Sequence, residues 1–417
     1  MYFKHVRQPS AINHQLSPVN ILCCILMLLF SLAGRAQAPK DSCTLEISLL
    51  TCAPGTDLYS LFGHTAIRVR DQRRGMDVVY NYGMFDDSDP LFYFHFTNGI
   101  MVYALGAETF GDFMSEYEYD HRGVTAQMLD LTCEQKENLY EALRQNTTEE
   151  NRFYNYQFYA DNCTTRAGKM IAAHSQPLKI ENILPTPPPT YRQMIHIYLD
   201  RQQQYWSEFG IDMLLGSNLD KKPNNEQAIY FLPDYLMNGF DHARTRKGPL
   251  VIKKETLLQF PEIRTGSVWF TPALLFGFLI VLSILLALKR KGQAQKALQI
   301  FDIILFGLLA LLGLIMLYVW LFRVDEVCRN NINIFWAVPT HILAVFFMRK
   351  NPAWLQYYFL ITALLSSVLL AGFIWWPQQM NAAVAVLLML IIFRSVHQFL
   401  KLRNAKNHPL PPAKARI

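Results

Sequence analysis

Two residues of this 417-residue chain have the types and settings for thiol chemistry. Cys163 lies in Asp161-Asn162-Cys163-Thr164-Thr165-Arg166, and His64 lies in Phe62-Gly63-His64-Thr65-Ala66-Ile67-Arg68-Val69. The thiolate is the nucleophilic form of cysteine, and a neighbouring imidazole can generate it. The run from Thr164 to Ile171 predicts a helix, with Asp161 or Asn162 as its N-cap. The thiol then sits at a helix N-terminus, where unpaired N–H groups and the helix dipole favour a thiolate and the oxyanion of a bound carbonyl. His64 opens the run Thr65 to Arg70, whose alternation and β-branched content predict a strand. A base held on a strand is held rigidly.

Simpler accounts exist for both residues: a buried Cys usually packs as a small hydrophobe, and a strand His is often only a hydrogen-bonded core residue. The polar Asp-Asn before Cys163 and the predicted helix start favour chemistry. A metal site would have to recruit His64, His95, His121 and Cys163, none of which has the close spacing of zinc ligands. No serine sits in a Gly-x-Ser-x-Gly elbow.

The elements around the pair come next. Cys43 to Cys52 predicts a strand, Pro54 to Asp57 a turn, and Val78 to Tyr82 a strand that places Asn81 or Tyr82 beside His64, depending on which face looks inward. Pro90 to Met114 is aromatic and irregular, with a candidate strand at Ile100 to Leu105. Val124 to Leu131 reads as a strand, Glu134 to Arg144 as an amphipathic helix, and Tyr191 to Phe209 as helical. Lys221 to Arg264 reads as loops and short helices.

Composition divides the chain: hydrophobic content is 51% and net charge +6, but the apolar residues concentrate beyond Ser267. The basic residues collect beside apolar segments and form no basic face, which excludes nucleic acid as a partner. The N-terminus has a signal-peptide layout: basic residues, the apolar run Ile21 to Ala33, then Ala36-Gln37-Ala38 as a cleavage site, with an uncleaved anchor as the alternative. Five cysteines follow Cys23 and Cys24, and Cys43, Cys52 and Cys133 could supply one disulfide. The expected order is residues 1–38 signal or anchor, 39–185 catalytic domain, 186–266 helical extension, 267–400 membrane helices and 401–417 basic tail.

Five apolar segments are expected to span: Val268 to Leu288, Ile303 to Phe322, the short Ile334 to Met348 broken by Pro339 and His341, Trp354 to Trp376, and Ala382 to Leu400 with Arg394 snorkelling. Lys289-Arg290-Lys291, Arg349-Lys350 and the tail all fall on one side, which is the cytoplasmic one. Asn331, Asn333 and His341 lie at or near the external end of the third segment. Capping and interhelical hydrogen bonds explain them; the functional alternative is one wall of a lipid or lipopeptide groove.

Leu50-Thr51-Cys52-Ala53-Pro54-Gly55, Phe62 to Val69, Tyr82-Gly83-Met84-Phe85, Arg122 and Asp161 to Arg166 resemble the Lnb-type periplasmic domain family, as does Asn331-Ile332-Asn333 with Trp336 and Pro339. The resemblance implies an α+β permuted papain-like (NlpC/P60-related) periplasmic domain followed by an all-α five-helix transmembrane domain. It implies a lipoprotein N-acyltransferase of the bacterial inner membrane, multi-pass, with its catalytic domain in the periplasm and its C-terminus in the cytoplasm. Cys163 and His64 would be catalytic, with Asn81, Tyr82, Asp161, Asn162, Arg122 and Arg166 as supporting or orienting residues. Phospholipid would be the acyl donor and diacylated lipoprotein the acceptor, with no cofactor. A thiol-dependent lipid hydrolase, a cell-wall peptidase with the same dyad and a non-enzymatic membrane assembly factor are the alternatives.

Overall fold

The computed structural model describes residues 43–57, 59–85, 90–262, 264–289 and 292–407. The signal or anchor segment, Arg290, Lys291 and the end of the basic tail lie outside them. The strands are β1 (Leu45–Cys52), β2 (His64–Asp71), β3 (Met76–Phe85), β4 (Val102–Thr109), β5 (Val124–Leu129), β6 (Phe153–Asn155), β7 (Lys179–Ile180), β8 (Ala243–Arg244) and β9 (Val251–Leu258). All but β7 and β8, which pair with each other, form one antiparallel sheet in the order β6-β4-β3-β2-β1-β5-β9.

The helices of this half are α1 (Phe92–Asn98), α2 (Phe110–Tyr119), α3 (Cys133–Asn146), α4 (Cys163–His174), α5 (Tyr191–Arg201), α6 (Tyr205–Leu214), α7 (Asn225–Ile229) and α8 (Pro233–Asp241). Strand alternation sends Leu49, Ile67 and Tyr80 to one face of the sheet, where α3, α4 and α8 pack. Leu50, Ala66 and Val79 point to the other, beneath Phe113 and Tyr117 of α2. The first face is chiefly apolar along β1 and β2; on the second, Leu50, Cys52 and Ala66 are buried at the His64 end while Glu46, Ser48, Arg68 and Arg70 follow toward the other end, so the end that carries His64 is the one packed on both sides.

The remaining helices are α9 (Pro272–Leu288), α10 (Gln293–Phe322), α11 (His341–Phe347), α12 (Leu355–Ala371) and α13 (Ala382–Asn407). Gln293–Phe322 and Ala382–Asn404 are long and apolar enough to cross a bilayer; α9 and α12 are apolar but shorter, at 17 residues each. Phe306, Trp336, Phe359 and Leu388 form the buried centre of the bundle, while Phe278, Ile304, Leu308, Ile361 and Val368 are exposed on its outside. An apolar exterior around an apolar centre is what a hydrocarbon solvent selects.

Several expectations are corrected. The aromatic stretch after Pro90 contains α1 and the start of α2, and the helical run at 191–209 breaks between α5 and α6, where Gln203 takes φ 58°. The loops expected before Arg264 include β9, an edge strand whose Lys253, Lys254 and Glu255 face water, so it lacks an apolar signature. The third membrane segment is a 3-10 turn, Ile332–Phe335, followed by the two turns of α11. Arg394 does not snorkel: it is fully buried and bonds Asp302 of α10 at 2.7 and 2.9 Å. A carboxylate 92 residues away supplies the charge that the end of the helix was expected to seek in water. Cys52 and Cys133 are free thiols on separate elements, so no disulfide joins them.

Candidate functional site

The loop before β2 approaches the sheet closely at Gly63. Its φ of 77° suits glycine, and a Cβ there would stand 2.6 Å from the Cys52 carbonyl. His64 follows as the first residue of β2. Its Nε2 lies 2.8 Å from Asn81 Oδ1, which also accepts Gly83 N–H at 2.8 Å, while Asn81 Nδ2 donates to Glu108 Oε1 at 3.2 Å. The amide is thus oriented by an acceptor and a donor of fixed kind, so the proton sits on Nε2 and Nδ1 is left for the thiol. Gly83 is required sterically, because a Cβ would fall 2.6 Å from His64 Cε1.

Asn162, not Asp161, is the N-cap of α4: its Oδ1 accepts Thr165 N–H at 2.9 Å, and its Nδ2 donates to the carbonyls of Phe158 and Phe231. Such a cap is worth about 1 kcal/mol. Thr164 Oγ1 lies 3.0 Å from Thr65 Oγ1, fastening the first turn of α4 to β2. Cys163, the first helical residue, is thereby held against His64. Its own N–H is among the four that helix geometry leaves without an intrahelical partner.

The thiol and imidazole act on each other. Burial works against the Cys163 thiolate, but the His64 charge, a hydrogen bond from that ring, and bonds from Thr65 N–H and the Thr164 hydroxyl outweigh it and hold the thiol below its ordinary range. Burial likewise opposes the His64 imidazolium, and the Cys163 thiolate with the Asn81 bond outweighs it, raising the ring. Other cysteines go the opposite way: burial pushes Cys52 up to about 12 and Cys328 up to about 11. Of these three thiols, Cys163 alone is prepared to react.

The other candidates sort by what they touch. Tyr82 points to the opposite face of β3 from Asn81 and donates to Asn146 Oδ1 at 2.8 Å, so it does not hold the imidazole. Asp161 forms a bidentate pair with Arg166 at 2.8 and 2.6 Å, and that guanidinium lies 3.8 Å above the Tyr154 ring. The pair braces the entry to α4 against β6. Arg122 donates to the Ala53 carbonyl at 3.0 Å and covers the Tyr117 ring, supporting the loop before His64 from behind.

Asn331, Asn333 and His341 are buried, at 1%, 0% and 0% exposure, and their side chains are taken up in hydrogen bonds within the protein. Asn331 donates to the Met213 and Leu214 carbonyls and Asn333 to the Asp212 carbonyl, while the His341 ring nitrogens contact the Trp336 carbonyl and Tyr358 hydroxyl. Their polar atoms tie the broken third segment to α6 and α12.

Sequence reasoning missed Glu108, and it read Gly83 within Tyr82-Gly83-Met84-Phe85 without giving it a role beside His64. The candidate strand at Ile100 to Leu105 stopped short of Glu108, and only the pairing of β4 with β3 brings that carboxyl to Asn81. Among the described residues, His196, Glu208 and Asp212 are the group whose ligand atoms, all within 4.8 Å of one another, could hold a metal ion. Arg192 occupies that position electrostatically, 2.7 Å from Asp212 Oδ1, and Asn381 donates to Asp212 Oδ2 at 3.0 Å. Neither His95 nor His121 belongs to this group, nor do His64 and Cys163.

The soluble half is fastened to the apolar helices. Arg323, just beyond α10, donates to the carbonyls of Phe96 and Thr97 at 2.8 and 3.2 Å, and Tyr318 donates to Asn98 Oδ1 at 2.9 Å. An α+β domain carrying a thiol and an imidazole, clamped to the end of an apolar helix bundle, defines a membrane-anchored protein with its polar site outside the bilayer.

Residues 35–196 match the family description Lnb N-terminal periplasmic domain, and residues 264–406 match Lnb transmembrane domain. The chain belongs to the Lnb-type family, and is a membrane protein with an N-terminal periplasmic domain. No curated protein and no solved structure matches it.

Proposed function

We propose that the protein is a cysteine-dependent N-acyltransferase of the bacterial inner membrane, acylating the N-terminal amine of diacylglyceryl-cysteine lipoproteins. The observation that carries this reading is the depressed Cys163 thiol beside an imidazole oriented by Asn81. The Cys163 thiolate attacks an ester carbonyl of a phospholipid. The tetrahedral intermediate, its oxyanion facing the N-terminus of α4, collapses to a thioester, and the departing glycerol oxygen takes the proton held by His64. The lipoprotein amine then attacks the thioester. His64 accepts the proton it loses, and the thiolate leaves, restoring the pair.

Transfer outruns hydrolysis only where water is scarce. The Tyr103, Tyr154 and Tyr156 rings lie within electrostatic reach of Cys163, and Tyr103 stacks on Tyr156 at 4.5 Å, surrounding the thiol with aromatic surface. In this reading residues 39–185 form a permuted papain-like domain and residues 186–266 its helical extension. Here α9, α10, α12 and α13 each cross the bilayer, the broken segment of Ile332–Phe335 and α11 makes the fifth, short passage, and the basic tail, residues 401–417, lies in the cytoplasm.

The test is to express the wild type and Cys163→Ala in a strain depleted of its own N-acylating enzyme, and to weigh the N-terminal lipopeptide of one lipoprotein. One added acyl chain that depends on Cys163 is expected. An unchanged lipopeptide with free fatty acid released identifies a hydrolase instead, and acylation that survives Cys163→Ala refutes the assigned nucleophile.

A further inference from the structure

We propose that the cavity alongside β4 seats the acyl chain of the donor phospholipid while its ester is attacked, and so sets which chain lengths are transferred. The inference rests on the acyl-transfer reading above. The cavity has a volume of about 670 Å³ and is lined by Met84, Phe96, Ile100, Val102, Ala104 and Phe153, among others. That volume lies within the range of roughly 300–1,000 Å³ common for small-ligand sites. Alternation along β4 turns Val102, Ala104 and Gly106 to one face, and Ala104 has Met84 and Phe153 opposite it on the neighbouring strands.

The rim is unusually apolar for a surface: Met84 is 47% exposed, Phe96 43%, Ile100 45%, Val102 59% and Phe153 48%. A contiguous apolar patch of this kind on the polar half of a protein marks a binding surface. A peptide laid there would need partners for its backbone polar groups, and apart from His95 and Arg152 the side chains along this lining are aliphatic and aromatic. An acyl chain needs none.

The cavity lies between the strand that carries Asn81 and the end of the helix bundle. Gly106 pairs in register with Asn81, the residue that holds His64, and Met84 lies over the bare α-carbon of Gly106, where a Cβ would be 2.7 Å from Met84 Cγ. Tyr103, between Val102 and Ala104 in β4, turns its ring to the other face of the sheet, onto Tyr154 and Tyr156 and within electrostatic reach of Cys163, so this one strand borders the cavity on one side and the thiol's surroundings on the other. At the other end, Phe96 sits on α1, whose backbone is gripped by Arg323 at the end of α10, and Val324 N–H donates to the Asn98 carbonyl at 2.9 Å. The mouth is therefore fixed at the end of a membrane-crossing helix. A chain can enter it from the lipid leaflet while its ester lies at the thiol.

The experiment reconstitutes the full chain in nanodiscs with equal amounts of phosphatidylethanolamines bearing 12-, 14-, 16- and 18-carbon chains and a synthetic diacylglyceryl-cysteine peptide, and reads the transferred chains by mass spectrometry. Ala104→Phe, which fills the cavity, is expected to shift the product toward the short chains. The 16-to-12 carbon ratio should fall about tenfold or more, since even one methylene excluded from an apolar pocket has an effect of that order. Cys163 alkylation and the melting temperature establish that the variant is folded; if it is not, Val102→Trp on the rim replaces it. Intact transfer with an unchanged chain profile overturns the assignment and leaves the acyl-transfer reading standing. A raised KM for the peptide with an unchanged profile places an acceptor chain in the cavity and also overturns it. Absence of transfer by the wild type removes the acyl-transfer reading and this inference with it.

Discussion

The Nε2 of His64 is held by Asn81 Oδ1 at 2.8 Å, and the same amide reaches Glu108 through its other end. An acceptor fixed in this way selects the imidazole tautomer whose second nitrogen faces Cys163. Asn81→Ala is expected to leave the fold intact and lower kcat about 10- to 100-fold, a part of the ~10²–10⁴ that a positioned base supplies. Glu108→Gln is expected to cost far less, because Gly83 N–H still anchors Asn81 Oδ1. Single-turnover thioester formation on each variant checks the order; equal losses would contradict a relay centred on Asn81.

The pH dependence of the thiol follows from its depressed pKa. Cys163 should react with iodoacetamide below pH ~8.5, where an ordinary thiol titrates, and the rate should fall as the thiolate is protonated at lower pH. The His64 ring has the opposite shift, so imidazolium persists above its ordinary value and acyl transfer declines as pH rises through it. His64→Ala removes the two contributions that lower the thiol most, and its alkylation profile should move toward that of a free cysteine. A profile that stays put would assign the depression to the helix N-terminus alone.

How much of this was legible in the sequence depends on the range of the interaction. The helix at Cys163 and the strand at His64 could be read because caps and alternation act over a few residues. The choice between Asn81 and Tyr82 could not, since it depends on the register of β2 with β3, where Ala66 faces Asn81. Glu108 was invisible for the same reason, one strand further out. Asn331 and Asn333 drew notice as polar groups in an apolar setting, but their acceptors are carbonyls of α6, more than 100 residues earlier in the chain. Arg394 repeats the lesson: a lone charge near a helix end reads as snorkelling until its partner on another helix is seen.

That partner gives a stability prediction. Asp302 and Arg394 are both fully buried and joined by two hydrogen bonds, with Gln398 as a further donor to Asp302. Asp302→Ala strands a guanidinium inside the helix bundle and should destabilise it by about 3–5 kcal/mol. Replacing both residues, as Asp302→Leu with Arg394→Met, removes the unpaired charge and should recover most of that loss. Melting temperatures in one detergent decide it: a double variant no better than the single one would mean that the pair contributes more than mutual neutralisation.

The contact between α6 and the start of α13 carries its own titration. Glu208 accepts from Asn381 at 3.0 Å and lies beside His196, Asp212 and Asp200, with Arg192 behind Asp212. Burial raises Glu208 to about 7, and the neighbouring carboxylates add to the shift against the opposing pull of His196. A carboxyl raised in the fold favours the protonated form, so its contribution to stability is full below the unfolded value and is lost as pH rises through about 7. His196 is raised too: burial alone would lower it, but Asp212 and Glu208 outweigh that, so its contribution also fades as pH rises. Asp212 lies below its usual range and adds no change over this window. The protein should therefore melt several degrees lower at pH 8 than at pH 5.5, on the order of 1–3 kcal/mol. Glu208→Gln removes one of the two titrations and keeps the hydrogen-bonding shape, so its melting curve should be flatter across the same range. If the variant retained the full wild-type slope, the pH dependence would belong to His196 or to another part of the molecule.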